Sequence, residues 1–133
     1  MLKIEHIGIA VKDLDISGKL FKTLLGVPSY KNEIVESEKV STTFFKVGET
    51  KVELIASLDE EGVIAKFIKQ KGEGIHHIAY EVKNIREEMA RLRAEGFTLL
   101  SEEPKKGADN KLICFVHPKN THGMLVELCQ EII

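Results

Sequence analysis

Two histidines and two glutamates stand where this chain could do chemistry. His6 and His77 each open an apolar, strand-like run, Ile4-Glu5-His6-Ile7-Gly8-Ile9-Ala10-Val11 and Gly74-Ile75-His76-His77-Ile78-Ala79-Tyr80-Glu81-Val82. With His6 laid on His77, the match continues through Lys12-Asp13-Leu14 against Lys83-Asn84-Ile85. A small residue, Gly8 or Ala79, follows two positions later on the same strand face. Glu53 lies in Lys51-Val52-Glu53-Leu54-Ile55, and Glu127 lies in Met124-Leu125-Val126-Glu127-Leu128-Cys129. From His6 to Glu53 is 47 residues, and from His77 to Glu127 is 50. An unpaired carboxylate in such a strand is costly to bury. A lone strand histidine is ordinarily a satisfied core or surface residue, but here both residue types recur in equivalent elements of a duplicated unit. Two imidazoles and two carboxylates suit one divalent ion, Zn, Co, Mn, Ni or Fe(II), and leave positions open for substrate or water.

The elements that must position these four residues can be read from periodicity. Residues 3–11 alternate, with Ile4, His6, Gly8 and Ala10 on one face and Glu5, Ile7, Ile9 and Val11 on the other. Asp13 or Asp15 can cap a following helix whose expected buried stripe is Ile16, Leu20 and Leu24, widened by Phe21 and Leu25. Gly26 and Pro28 stop it. Strands are expected at about 29–36, 40–47 and 50–56, with Gly48-Glu49 as a tight hairpin. A connecting helix over 59–71 carries Val63, Ile64, Phe67 and Ile68 as its stripe. The second half repeats the plan: a strand at 75–82, a helix begun near Asn84 with Ile85, Met89 and Leu92, a stop at Gly96, then strands near 97–102, 111–116 and 123–129. Each half is therefore βαβββ. A unit of this size is hard to stabilise alone. The expected fold is a single α+β domain over residues 1–133: module one at about 1–57, the connecting helix, and module two at about 73–133. The two modules would form a curved mixed sheet around a cup.

Bulk properties exclude several classes. The chain of 133 residues is 43% hydrophobic and 30% charged, with a formal net charge of −2. That balance argues against nucleic acid as a partner, since phosphate backbones demand a basic surface. No apolar run is long enough to span a membrane, and no secretory signal is visible. Cys114 and Cys129 lie in apolar runs and read as two reduced core thiols in a cytoplasmic protein. His76 has the opposite parity from His77 and reads as a packing residue or a neighbour of the site. His122, in the turn His117-Pro118-Lys119-Asn120-Thr121-His122-Gly123, reads as an exposed loop residue.

At these residues the chain resembles the vicinal oxygen chelate superfamily, whose paired βαβββ modules form a metal-holding cup. Within it, the sequence looks like the methylmalonyl-CoA epimerase family. The carrying motifs are Glu5 to Val11, Val52-Glu53-Leu54-Ile55, Gly74 to Ala79, Glu102-Glu103-Pro104-Lys105-Lys106-Gly107-Ala108, Phe115-Val116-His117-Pro118-Lys119 and Gly123 to Leu128. The first is shared by many members of the superfamily. The Pro-Lys-x-Gly-Ala and His-Pro-Lys segments, together with the His-His pair, are more specific to the epimerases.

The resemblance implies His6, Glu53, His77 and Glu127 as ligands of one divalent ion, with Co, Mn, Zn or Ni as candidates. It implies Glu127 as both ligand and base. The glutamate that some members carry on the third strand falls at Thr42 here, so Glu53, a water or another group must serve as the second proton carrier. The implied activity is that of an isomerase interconverting the (R) and (S) forms of methylmalonyl-CoA through an enolate at C2, working as a homodimer. Lys105, Lys106, Lys111 and Lys119 could meet the phosphates of coenzyme A. Competing readings are a glyoxalase-type isomerase with the same four ligands, and a metal-free small-molecule binding or resistance protein that would not need them. An extradiol dioxygenase is weaker, because those enzymes resemble a two-His, one-Glu site.

Overall fold

A computed structural model describes all residues 1–133. The strands are β1 (Lys3–Ala10), β2 (Lys31–Val35), β3 (Val40–Val47), β4 (Thr50–Ser57), β5 (Gly74–Glu81), β6 (Lys105–Lys106), β7 (Lys111–Val116) and β8 (Leu125–Glu131). The helices are α1 (Leu14–Leu25), α2 (Val63–Lys71) and α3 (Ile85–Ala94). The chain divides into two compact units. One, the N-terminal unit, is His6–His76. The other, the C-terminal unit, joins Met1–Glu5 to His77–Ile133.

In the N-terminal unit the strands lie in the order β2-β3-β4-β1. β1 pairs with β4 in parallel, and the other neighbours are antiparallel. The C-terminal unit repeats this as β5-β8-β7-β6, with β5 and β8 parallel. Each unit is thus a βαβββ module with a mixed sheet, as the duplicated pattern predicts. Gly48-Glu49 closes the β3–β4 hairpin with Val47 facing Thr50, and Gly48 takes the positive φ of 61° that such a two-residue turn favours.

Helix starts follow capping chemistry. The Asp13 side chain accepts from the Ile16 amide, and the Asn84 side chain accepts from the Glu87 amide. Gln130 of β8 accepts from the Ile85 amide at 2.7 Å and so holds the start of α3 against the sheet. α3 buries the expected Ile85, Met89 and Leu92 against Val82, Cys114, Val116, Val126 and Leu128.

Three expectations are corrected. Ile16, Leu20 and Leu24 are 62 to 70% exposed; α1 instead turns Leu14, Phe21 and Leu25 toward Val11, Phe45, Leu54 and Ala56. The helix carries two apolar arcs, and packing on the sheet selects one of them. α2 begins at Val63, after a turn in which Asp59 accepts from the Glu61 amide, and Val63 is exposed while Ile64, Phe67 and Ile68 pack inward. Residues 97–102 do not form a strand. They make one bridge, Leu99 to Val116, and then leave the ladder. The Arg93 guanidinium takes the carbonyls of Ser101 and Glu102, and Pro104 has no N–H to offer, so pairing resumes only at Lys105–Lys106.

The face assignment of α1 is testable by urea unfolding. Phe21→Ala should lower stability by about 3 kcal/mol, whereas Leu20→Ala should change it by no more than about 0.5 kcal/mol. Equal losses would contradict the observed orientation.

Candidate active site

The parallel pairing of first and last strand builds the same small constellation in each unit. In the N-terminal unit Gly8 faces Glu53, and His6 faces Lys51. In the C-terminal unit Ala79 faces Glu127, and His77 faces Leu125. Each glutamate is therefore level with the small residue that follows its histidine by two, and the missing bulk lets histidine and glutamate lean together diagonally. His6 Nε2 lies 3.4 Å from Glu53 Oε1. His77 Nε2 lies 3.5 Å from Glu127 Oε1. All four side chains are buried.

These separations exceed the roughly 2.7–2.9 Å of a charge-assisted hydrogen bond. They come close to the spacing of about 3.0–3.4 Å between two ligand atoms that share an ion at ~2.0–2.1 Å. The donors, an imidazole nitrogen and a carboxylate oxygen in each unit, are of the kind that holds a divalent ion.

The antiparallel side of each glutamate adds residues that the sequence reading did not assign. Phe44 faces Glu53 across β3 and β4, and Phe115 faces Glu127 across β7 and β8. Phe115 also meets the His77 ring edge-on, with centroids 6.0 Å apart and planes at 88°. Phe44 could have been found by counting back from the two-residue turn at Gly48-Glu49. Phe115 could not, because the loop 117–124 hides the register of the second hairpin.

Thr42 is fully buried, and its hydroxyl donates to the Glu33 carbonyl at 3.2 Å. It therefore tethers β2 to β3 and brings no carboxylate to the site. His76 packs edge-on against Phe67 at 4.8 Å, a packing role as its parity indicated. His117 caps its own turn, with Nδ1 accepting from the Lys119 amide, and His122 is exposed. The Pro-Lys-x-Gly-Ala segment forms β6 and a hairpin in which Gly107 lies so close to β7 that a Cβ there would meet Ile113 Cδ1 at 2.8 Å.

Of the four lysines considered for phosphate contacts, Lys105, Lys106 and Lys119 are exposed. Lys111 is not available at the surface. It is buried, with its ammonium donating to the Asp109 carbonyl at 3.4 Å and lying 3.8 Å from Glu131. Glu5 is likewise buried, which strand parity alone did not indicate. Cys114 and Cys129 are free and buried. Burial pushes the Cys129 thiol pKa up strongly, and the carboxylates of Glu127 and Glu5 push it further. Neither thiol should react with an aromatic disulfide reagent at pH 8 in the folded protein, and both should react in denaturant. Rapid labelling of Cys129 in the native state would contradict this burial.

Comparisons with known proteins agree with this architecture. The human mitochondrial methylmalonyl-CoA epimerase is 39% identical over 96% of this chain and 73% of its own length. The ethylmalonyl-CoA/methylmalonyl-CoA epimerase of Cereibacter sphaeroides is 38% identical over 96% of this chain and 97% of its own. A solved structure of a Streptomyces coelicolor methylmalonyl-CoA epimerase variant, in complex with 2-nitronate-propionyl-CoA, superposes with a TM-score of 0.96. It is 30% identical and covers all of this chain and 99% of that one. Residues 5–115 match the model of the Glyoxalase/Bleomycin resistance protein/Dioxygenase superfamily, and the chain belongs to that superfamily.

Proposed function

We propose that this chain is an isomerase that inverts C2 of methylmalonyl-CoA. The observation that carries the reading is the buried histidine–glutamate pair built in both units, in a chain that aligns with epimerases over 96% of its length. His6, Glu53, His77 and Glu127 would together hold one divalent ion, with Co, Mn, Zn and Ni as candidates. When bound, that ion supplies Lewis-acid stabilisation of the negative charge that develops as C2 loses its proton.

The chain's own residues do the rest. Glu127 takes the C2 proton at its carboxylate oxygen. The apolar strands around it, with Phe115 alongside, exclude water that would otherwise compete for the developing charge. Glu53 is the carboxylate of the other unit and serves as the second proton carrier, returning a proton to the opposite face of C2. Thr42, whose hydroxyl is committed to the Glu33 carbonyl, does not. The imidazoles of His6 and His77 hold their partner glutamates in place by close contact at 3.4 and 3.5 Å. The working form is taken to be a cytoplasmic homodimer, in keeping with the family resemblance and with reduced, free thiols. No helix is long and apolar enough to cross a membrane. The alkyl group on C2 is left open by the relatives, since one is named for ethylmalonyl-CoA as well.

Glu127→Gln keeps the shape of the side chain and removes its basicity. It should slow exchange of the C2 hydrogen with solvent deuterium by at least about a hundredfold, with unfolding unchanged. Undiminished exchange in a metal-loaded variant would remove Glu127 as the base. Chelation should abolish racemisation of methylmalonyl-CoA by the wild-type protein. A purified protein with neither bound metal nor metal-dependent exchange would point to the binding-protein reading instead. Sedimentation equilibrium should give twice the chain mass, and a monomer at micromolar concentration would exclude the dimer.

A further inference from the structure

The two units repeat the histidine–glutamate pair, but the phenylalanine beside each glutamate is not in the same state. Phe44, facing Glu53, is 1% exposed, and the Tyr30 ring lies 6.0 Å from its own. Phe115, facing Glu127, is only partly buried. It packs against the small cluster of Ala79, Ile113 and Cys129, and it presents its ring to the edge of His77. Phe115, His77 and Glu127 therefore stand on one face of the C-terminal sheet. Of the two equivalently placed residues, this is the one that is not fully covered.

A carboxylate that removes a proton from carbon must approach it within about 3 Å. C2 of a 2-alkylmalonyl thioester carries a hydrogen, a carboxylate, a thioester carbonyl and an alkyl group. The hydrogen is directed at Glu127, and the two oxygen-bearing groups seek polar or cationic partners. The alkyl group alone needs an apolar surface. Directly opposed side chains on antiparallel strands have Cβ atoms about 4.5–5.5 Å apart. Phe115, partly uncovered and directly opposite Glu127, is thus an apolar side chain within reach of a substituent on a carbon that faces Glu127.

We propose that Phe115 is the wall against which the C2 alkyl group packs, and that its ring sets the largest alkyl group the site accepts. The proposal rests on Glu127 being the proton carrier. Phe44, being sealed, plays no such part.

The test compares Phe115→Ala and Phe115→Leu with wild type on methylmalonyl-CoA and 2-ethylmalonyl-CoA, reading kcat/KM for C2 deuterium exchange. One methylene in an apolar pocket is worth about tenfold or more in selectivity. The preference for the ethyl substrate should therefore rise about tenfold in Phe115→Ala and by less in Phe115→Leu, which disturbs packing least. A ratio unchanged within about twofold in both variants overturns the proposal. Phe44→Ala should lower stability and leave the ratio unchanged; an equal shift in that variant also overturns it. Calorimetric binding of propionyl-CoA and butyryl-CoA, which differ at C2 in the same way but lack the free carboxylate, gives a second readout. Phe115→Ala should move the preference toward butyryl-CoA, and no movement counts against the wall. If wild type exchanges neither 2-alkylmalonyl substrate, the epimerase reading fails, while the binding pair still decides whether Phe115 limits the alkyl group.

Discussion

A carboxylate set in an apolar strand needs a partner that shares its burial, because desolvating it alone costs several kcal/mol. That constraint shapes both units of this protein. Glu53 stands between Val52 and Leu54, Glu127 stands between Val126 and Leu128, and each is held within 3.5 Å of a histidine from the neighbouring parallel strand. Parallel pairing is what makes this possible. With the last strand returning beside the first in the same direction, the glutamate falls level with Gly8 or Ala79, and the histidine two residues earlier reaches it diagonally. A large side chain at either small position would occupy the space in which the two groups meet.

The remaining architecture serves to keep those parallel strands adjacent. In the C-terminal unit α3 lays Ile85, Met89 and Leu92 over the sheet, and Gln130 fastens its first turn to β8 only three residues from Glu127. In the N-terminal unit α1 covers β3 and β4 through Leu14, Phe21 and Leu25, while α2 packs Ile64, Phe67 and Ile68 against Ala10, Val40 and Ile55. At roughly 25 cal/mol per Å² of apolar area removed from water, these clusters offset the desolvation of the buried charges. The polar pairs are thus carried by apolar packing to which the helices contribute.

What the sequence made legible, and what it concealed, follows the range of the interactions concerned. Strand parity separates His77 from His76, and apolar neighbours single out Glu53 and Glu127, because both signals are local. Helix caps at Asp13 and Asn84 are local too. The inner face of α1 is not, since Ile16, Leu20 and Leu24 form as regular a stripe as Leu14, Phe21 and Leu25, and only docking on the sheet chooses between them. The missing strand at 97–102 is lost to a distant competitor, the Arg93 side chain, for its carbonyls. Lys111 reads as a surface cation until the turn at Asp109-Asn110, with φ near 57° at both residues, folds its carbonyl over the ammonium.

Duplication supplies equivalence, and an inversion that runs in both directions asks that each proton carrier both take and give a proton at the carbon, because the reverse reaction retraces the forward one. The two units nonetheless differ in what surrounds the glutamate. Beside Glu53 the ring of Phe44 is buried, and the Thr42 hydroxyl two residue pairs along is bound to the Glu33 backbone. Beside Glu127, Phe115 is only partly buried. The shared register fixes where each carboxylate stands, and the neighbours on the antiparallel strand decide what can come up to it. The repeat therefore accounts for the histidine–glutamate pair in each unit, whereas the departures from the repeat lie in the side chains that flank each glutamate.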